Sequence, residues 1–295
     1  MKVNHIEKSI DGKLILEDIT FELNKGEILG IIGRNGVGKT TLFRTLMNHY
    51  TKDKGTIEID GKDIETNREL YEHLFYLDIQ NSPIAKMTPV AIGKYYQKIY
   101  STFDSEKYDK LIETNNLPKN KSYHQFSKGM QGLFNIILAI SSNASYLILD
   151  EPFDGLDVIV KKQVLKLLLN EISLSDKAVL VSSHNLTELE TLLDRALILK
   201  DGTIVNEYHL EEAKASMKKI QMVFKDKKVP RIIKENAEIL TVQGRVMIGL
   251  FKEITPEMQQ EIDQLNPVLF DEIPITLEDL FSSNLTDEAD FQLFN

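Results

Sequence analysis

The stretch Glu27-Ile28-Leu29-Gly30-Ile31-Ile32-Gly33-Arg34-Asn35-Gly36-Val37-Gly38-Lys39-Thr40-Thr41 decides how this chain is read. Its first half is an apolar run of the kind shown by a parallel strand buried on both faces. A glycine-rich turn follows, and from Lys39 to about Asn48 the residues suit a helix. Glycines let the backbone curl so that successive N–H groups converge, and the helix start adds partial positive charge at the same point. Gly33 to Thr40 satisfies G-x-x-x-x-G-K-[ST] in the strand–turn–helix context that this phosphate-cradling loop requires. The expected phosphate contacts are Gly33, Arg34, Asn35, Gly36, Val37, Gly38, Lys39, Thr40 and Thr41. Lys39 should reach the β- and γ-phosphates, and the Thr40 hydroxyl should be a ligand of Mg²⁺.

Such a loop needs a second acid to organise the metal. Tyr146-Leu-Ile-Leu-Asp150-Glu151-Pro152 supplies one at the end of another apolar run. Asp150 is expected to hold Mg²⁺ through its water shell and Glu151 to polarise an attacking water. Two adjacent carboxylates alone more often mark an exposed strand end, and it is the pairing with the glycine loop that makes them candidates.

Around these two motifs the chain alternates. Short strands are expected at Val3 to Ile6, Ile19 to Leu23 and Gly55 to Asp60, with a helical turn and a strand between Asn67 and Leu77. From about Thr88 to Ser145 the period becomes helical, over Ala91 to Tyr100, Ser105 to Thr114 and Lys128 to Ile140. Met130, Leu133, Phe134, Ile137 and Ile140 fall on one face of the last helix. Strand and helix then alternate again through Val158 to Ile172, Ala178 to Ser182, Leu186 to Leu193 and Ala196 to Leu199. The fold class is therefore α/β: a P-loop core with a parallel sheet, an antiparallel β-subdomain and an inserted helical subdomain at about 88–145. The first domain is expected over 1–208 and a small α+β domain over 209–295, with strands at Ile220 to Phe224, Ile239 to Val242, Val246 to Phe251 and Val268 to Phe270. Helices are expected there at Pro256 to Leu265 and Leu277 to Phe281, before an acidic tail from Thr286 to Asp290.

Composition narrows the function. The 295 residues carry a net charge of −10, which disfavours nonspecific binding to nucleic acid through overall charge, and no nucleic-acid partner is expected. There is no cysteine, so disulfides, cysteine–zinc sites and thiol catalysis are excluded. Apolar runs such as Leu133 to Ile140 are far shorter than the roughly 20 residues that cross a bilayer, and the first residues lack the apolar stretch of a secretory signal. A cytoplasmic location is expected.

With these motifs in hand, the sequence over about residues 1–208 resembles the nucleotide-binding subunits of ABC transporters. Phe126-Ser127-Lys128-Gly129-Met130 looks like a variant of the family signature, Leu-Ser-Gly-Gly-Gln. The resemblance implies that Ser127 and Gly129 face the γ-phosphate held by the opposite subunit; the plain reading of Ser127 is a helix N-cap. Gly155-Leu156-Asp157 resembles the D-loop and Ser182-Ser183-His184 the switch histidine segment, so His184 would contact the γ-phosphate and orient water beside Glu151. Gln80 is the candidate for the metal-sensing Q-loop glutamine, although Ile79 can occupy that register instead. Where the family stacks an aromatic residue on adenine, this chain has Ile10, which implies weak discrimination among nucleoside triphosphates. The resemblance further implies ATP and Mg²⁺ as cofactors and a second nucleotide-binding subunit, homomeric or paralogous. It also implies a transmembrane permease docked around Asp78 to Gly93, and a station at the inner face of the membrane.

Within the family, Ser127-Lys-Gly-Met130, the Tyr- and Lys-rich stretch Gly93 to Asp109 and Leu277-Glu-Asp-Leu280-Phe281 resemble exporter ATPases of Gram-positive bacteria that handle antimicrobial peptides, bacitracin-type drugs or phenol-soluble modulins. An importer ATPase, a soluble ABC ATPase of translation or DNA repair, and a module that binds ATP without turnover are the alternatives. Retention of Glu151 and His184 argues against the last of these.

Overall fold

The computed structural model describes residues 1–77, 83–184, 186–225 and 228–282. The chain forms two compact units. The first comprises Met1–His184 with Thr191–Glu207, and the second Asn185–Glu190 with Tyr208–Asn295. The sequence reading divided the chain at 208/209, whereas the second unit takes Tyr208 and also a short segment, Asn185–Glu190, from within 1–208.

The first unit holds two sheets. An antiparallel sheet, in the order β2-β1-β4-β5, is built from β1 (Lys2–Ile10), β2 (Lys13–Glu22), β4 (Lys54–Ile59) and β5 (Lys62–Asp63). The other sheet runs β10-β9-β3-β8-β7-β6, from β3 (Ile28–Ile32), β6 (Leu74–Tyr76), β7 (Tyr146–Asp150), β8 (Ala178–Ser183), β9 (Arg195–Lys200) and β10 (Thr203–His209). The pairs β3·β8, β3·β9, β7·β8 and β6·β7 are parallel. All five residues of β3 are buried, as are all six of β8, so their near-continuous apolar runs follow from coverage on both faces. One core joins the sheets, with Phe21, Leu23 and Ile57 from the antiparallel layer and Leu29, Ile148 and Leu180 from the parallel one.

Helix α1 (Lys39–Leu46) leaves the glycine turn and buries Leu42, Phe43 and Leu46. The inserted helices are α2 (Pro89–Ile99), α3 (Ser105–Thr114) and α4 (Lys128–Ser141), capped by Thr88, Asp104 and Ser127, each side chain accepting a backbone N–H of the first turn. The sequence reading gave α4 a single apolar face; instead its residues from Ile136 to Ser141 are all buried, so this half of the helix runs through the interior. Helix α5 (Val158–Ser173) follows, capped by Asp157, which accepts from Ile159 and Val160 N at 2.9 and 3.0 Å.

The helix expected over Leu186 to Leu193 is only α6 (Leu186–Leu189). The chain leaves helical geometry before Asp194, whose carboxylate accepts from Ile28 N at 2.8 Å and draws the following strand to the sheet. Strand β10 had no sequence expectation, because its alternation is between exposed and half-buried positions and contrasts little.

The second unit adds α7 (Leu210–Ala215), β11 (Lys218–Val223), α8 (Arg231–Asn236), β12 (Ile239–Gln243), β13 (Val246–Phe251), α9 (Pro256–Gln264), β14 (Leu269–Ile273) and α10 (Leu277–Ser282). From β11 to β14 the order is βαββαβ, and the antiparallel sheet runs β12-β13-β11-β14, the split βαβ arrangement. Ile220, Met222, Met247 and Phe251 pack with Ile233 of α8 and Met258 and Ile262 of α9. Helix α8 was not expected, being one short turn-and-a-half rich in charge.

Candidate nucleotide site

The carboxyl ends of β3, β7 and β8 converge, and the site is built on them. Gly33 closes β3 where a Cβ would lie 2.4 Å from the Leu199 carbonyl oxygen, so only glycine fits. Gly38 sits at φ 116°, in the left-handed region, with a hypothetical Cβ 2.9 Å from Leu16 Cδ2; it turns the chain into α1. Arg34, Asn35 and Gly36 are exposed, Val37 and Thr41 half-buried, and Lys39 is 5% exposed. The Lys39 ammonium donates to the carbonyls of Gly33 at 2.6 Å and Arg34 at 3.1 Å and lies 3.2 Å from Glu151 Oε1. A buried ammonium this well surrounded by oxygen is a fixed positive charge at the floor of the loop.

Thr40 Oγ1 donates to Asp150 Oδ2 at 2.7 Å, and Ser182 Oγ donates to Asp150 Oδ1 at 2.6 Å. Ser182 Oγ also accepts from Glu151 N at 2.9 Å. Glu151 itself has φ 46°, a left-handed conformation that costs a non-glycine residue about 1–2 kcal/mol. That turn swings its carboxylate back, and Oε2 lies 2.8 Å from His184 Nδ1. Donor atoms of Glu151, Asp154 and His184 lie within 4.8 Å of one another. The hydroxyl-and-carboxylate set at Thr40 and Asp150 is hard oxygen chemistry, which fits Mg²⁺.

The structure therefore brings together Lys39, Thr40, Asp150, Glu151 and His184. A cavity of about 510 Å³ is bounded by Asn35, Thr40, Asp150 and Glu151 on one side and by Lys128 and Gln131 of α4 on another. Ser127 is exposed, and its Oγ accepts from Met130 N at 3.3 Å, as an N-cap does. At Gly129 an added Cβ would stand 3.1 Å from Val160 Cγ2, so this position is closed against α5. Gln80 and Ile79 lie outside the described residues, as do most of the residues from Asp78 to Pro83. Ile10 is half-buried at the end of β1, paired with Lys13 across a two-residue turn.

Ser182 is the group that sequence reasoning missed. It was quoted only as the lead-in to His184, and its bridging position depends on the register that sets Asp150 opposite Ser182. No local pattern announces that pairing. Asp154 was missed for the same reason, since it meets His184 only in space.

A sequence model described as ABC transporter matches residues 16–154. The ATP-binding protein YtrB of Bacillus subtilis is 30% identical over 281 residues, 95% of this chain and 96% of that protein. This chain belongs to the ABC transporter ATP-binding family. It is an ATP-hydrolysing cassette of that family. The lipopolysaccharide export ATP-binding protein LptB of Haemophilus influenzae is 28% identical, covering 70% of this chain and 88% of its own. The spermidine/putrescine import ATP-binding protein PotA of Aliivibrio fischeri is 29% identical, covering 69% and 56%. A solved ATP-binding subunit of an ABC transporter superposes with a TM-score of 0.64 at 24% identity, covering 72% of this chain and 91% of its own, which matches the fold.

Proposed function

We propose that this cassette powers a separate membrane permease that exports peptides or drugs, with two ATP molecules closing a pair of cassettes and hydrolysis reopening them. The observation that carries the reading is the hydrogen-bonded chain from Thr40 through Asp150 and Ser182 to Glu151, ending on His184. In it, Lys39 holds the β- and γ-phosphates and the loop amides of Gly33 to Thr41 cradle them. Thr40 and Asp150 hold Mg²⁺, which when bound neutralises phosphate charge. Glu151 accepts the proton of the attacking water, and His184 holds the Glu151 carboxylate in place while offering its other ring nitrogen to the γ-phosphate.

Ser127 and Gly129 complete the pocket of the neighbouring cassette. The exposed Ser127 at the start of α4 supports this, because a helix N-terminus suits an anion. If ATP favours the closed pair over the open one, its binding drives the switch.

Among the described residues no helix is long and apolar enough to cross a membrane, and on this reading a separate permease supplies the pathway for cargo. The permease docks in the groove between the core and the helical insert. A cavity of about 730 Å³ supports this placement, lined by Arg44, Tyr50 and Tyr71 from the core and Tyr95 and Tyr96 from α2. This puts the cassette at the inner face of the membrane. Relatives named for export and for import lie at similar identity, so the export direction rests on Ser127-Lys-Gly-Met130, Gly93 to Asp109 and Leu277 to Phe281. Co-purification with a membrane protein, followed by ATP-driven cargo movement in vesicles of known sidedness, tests the proposal. A cassette that hydrolyses ATP without any membrane partner, or that drives uptake, overturns it.

A further inference from the structure

The connection between β8 and β9 is divided between the two units. Strand β8 ends at Ser183, His184 follows, and α6 begins two positions later at Leu186. His184 belongs to the first unit, Asn185–Glu190 to the second, and from Thr191 the chain is again in the first. The segment directly after His184 is therefore grouped, by its packing, with the C-terminal unit.

Within that unit α10 packs against both α6 and α7. Leu277 and Leu280 of α10, Leu186 and Leu189 of α6 and Leu210 of α7 are all buried. On each of α6 and α10 the two leucines stand three positions apart, the spacing that puts both on one face. A four-residue helix has too few hydrogen bonds to offset the cost of its first turn, so α6 depends on the apolar cover that the second unit gives it. The Lys214 ammonium of α7 lies 3.7 Å from Glu190, just beyond the end of α6. Helix α10 is itself pinned. Thr276 N donates to Asp279 Oδ2 at 2.7 Å and Asp279 N donates to Thr276 Oγ1 at 3.3 Å, a reciprocal cap, and the Lys219 ammonium of β11 lies 2.7 Å from the same Oδ2.

We propose that the second unit positions His184, with Leu277 and Leu280 as the positioning residues, acting through α6. Among the described residues the imidazole has one hydrogen-bond partner, Glu151, whose Oε2 lies 2.8 Å from Nδ1, and its side chain is 39% exposed. One bond leaves a ring free to turn about it, so its aim is set by the backbone on either side. Strand β8 fixes that backbone before His184, and α6 fixes it after. With α10 loosened, α6 frays, His184 swings away from Glu151, and turnover falls while the phosphate loop keeps its shape. This effect on turnover rests on the role of His184 in the proposed cycle.

Leu280→Ala in the full-length chain tests this in a double-mutant cycle against His184→Ala, with phosphate release read in single turnovers. A hydrogen bond to a charged group corresponds to about ten- to a hundredfold in rate, and a displaced ring keeps part of it, so hydrolysis should slow about tenfold. ADP affinity should stay at the parent's value, because ADP has no γ-phosphate for His184 to meet. In the His184→Ala background Leu280→Ala should lower the rate no further, since residues that act through one group are not additive. Leu280→Met, which conserves volume, should restore the rate. Asp279→Ala, which releases the start of α10 without removing a buried leucine, should repeat the pattern at smaller amplitude, and amide exchange over 186–190 should speed up in both loosened variants.

An equal fall on Leu280→Ala with and without His184 overturns the proposal, as does a parent rate in a Leu280→Ala chain whose 186–190 amides exchange faster. A loss of ADP affinity matching the loss of rate overturns it too, because it would mark general damage to the site. Slow hydrolysis in His184→Ala beside parent hydrolysis in Leu280→Ala and Asp279→Ala leaves the proposed cycle standing and sinks only the positioning by the second unit. His184→Ala at the parent rate is the other failure: it removes His184 from the cycle, and the positioning role with it, even where amide exchange shows α10 holding α6.

Discussion

Replacing Ser182 by alanine tests the site at its least obvious point. The side chain is fully buried on β8, donates to Asp150 at 2.6 Å and accepts from Glu151 N at 2.9 Å. Alanine suits the strand and removes both bonds. A hydrogen bond to a charged group contributes about 1.5–3 kcal/mol, and a buried N–H left unpaired costs about 1–3 kcal/mol. Asp150 keeps its bond from Thr40, and Glu151 is a quarter exposed, so the low end of each range applies and the loss is about 2.5 kcal/mol. Part of it falls on catalysis. With one of its two anchors gone, Asp150 is held less firmly, and the Glu151 N–H loses the hydrogen bond that fixes its left-handed turn. A shortfall of about 1.4 kcal/mol in the transition state lowers kcat tenfold. Steady-state phosphate release titrated with Mg²⁺ should show kcat down about tenfold and the Mg²⁺ needed for half-maximal rate raised, with a lower melting temperature by calorimetry. Ser182→Thr restores the hydroxyl, and should recover the Mg²⁺ dependence even where its added methyl lowers stability. A Ser182→Ala protein with the parent's melting temperature and the parent's Mg²⁺ curve would refute the bridging role.

Glu151→Gln should abolish phosphate release and accumulate closed, ATP-bound dimers by size-exclusion chromatography; turnover at the parent rate would remove Glu151 as the base. Ile10→Tyr should tighten ATP binding by about 0.5–1.5 kcal/mol, the range for an aromatic contact, while leaving CTP less affected, whereas the parent should bind ATP, GTP and CTP with similar affinity in a fluorescence titration. Glu171 is buried beside the ammonium groups of Lys107, at 2.5 Å, and Lys177. Burial pushes its carboxyl up, but the two lysines outweigh burial and hold it below the ordinary carboxylate range. Glu171→Gln should therefore cost about 3–5 kcal/mol at neutral pH, because it strands buried positive charge. A depressed folded-state value means this stability is present above the unfolded value and lost as pH falls through the folded one, so the melting curves of parent and variant should converge only below about pH 4. Equal melting temperatures at pH 7 would contradict the pair.

What the sequence made legible, and what it did not, follows from the range of the interactions. Ile28–Ile32, Gly33 to Thr40 and the run from Tyr146 to Asp150 act within a few residues, so pattern alone placed the loop, the lysine and the paired carboxylates. Ser105–Thr114 was readable to the residue because its Asp104 cap and apolar spacing agree. Strand β10 and helix α8 were not, since their contrast between buried and exposed positions is slight. The role of Ser182 was invisible because it depends on which strand lies beside β7, a choice made by the whole sheet. Helix α4 shows the same limit from another side: Asn135 excepted, nothing in its sequence marks how much of the circumference is covered, and only packing decides it.

The strand order explains why the site exists where it does. In a parallel sheet the carboxyl ends share one edge, and ligands bind there. Strand β8 lies between β3, which feeds the loop and Lys39, and β7, which ends in Asp150 and Glu151. Ser182, at the end of β8, is therefore the residue placed to join the Asp150 carboxylate to the Glu151 backbone, and His184 is carried two residues further to the Glu151 carboxylate. Glu151 consequently stands between Lys39 and His184, with Oε1 3.2 Å from the Lys39 ammonium and Oε2 2.8 Å from His184 Nδ1. Lys39 and His184 are also the groups suited to a γ-phosphate on the proposed reading. Any phosphate that draws on Lys39 and His184 changes how firmly Glu151 is held and which of its oxygens faces water. On the proposed reading, sensing the phosphate and activating the water would then not be separable functions of separate residues, because a single carboxylate is shared between them.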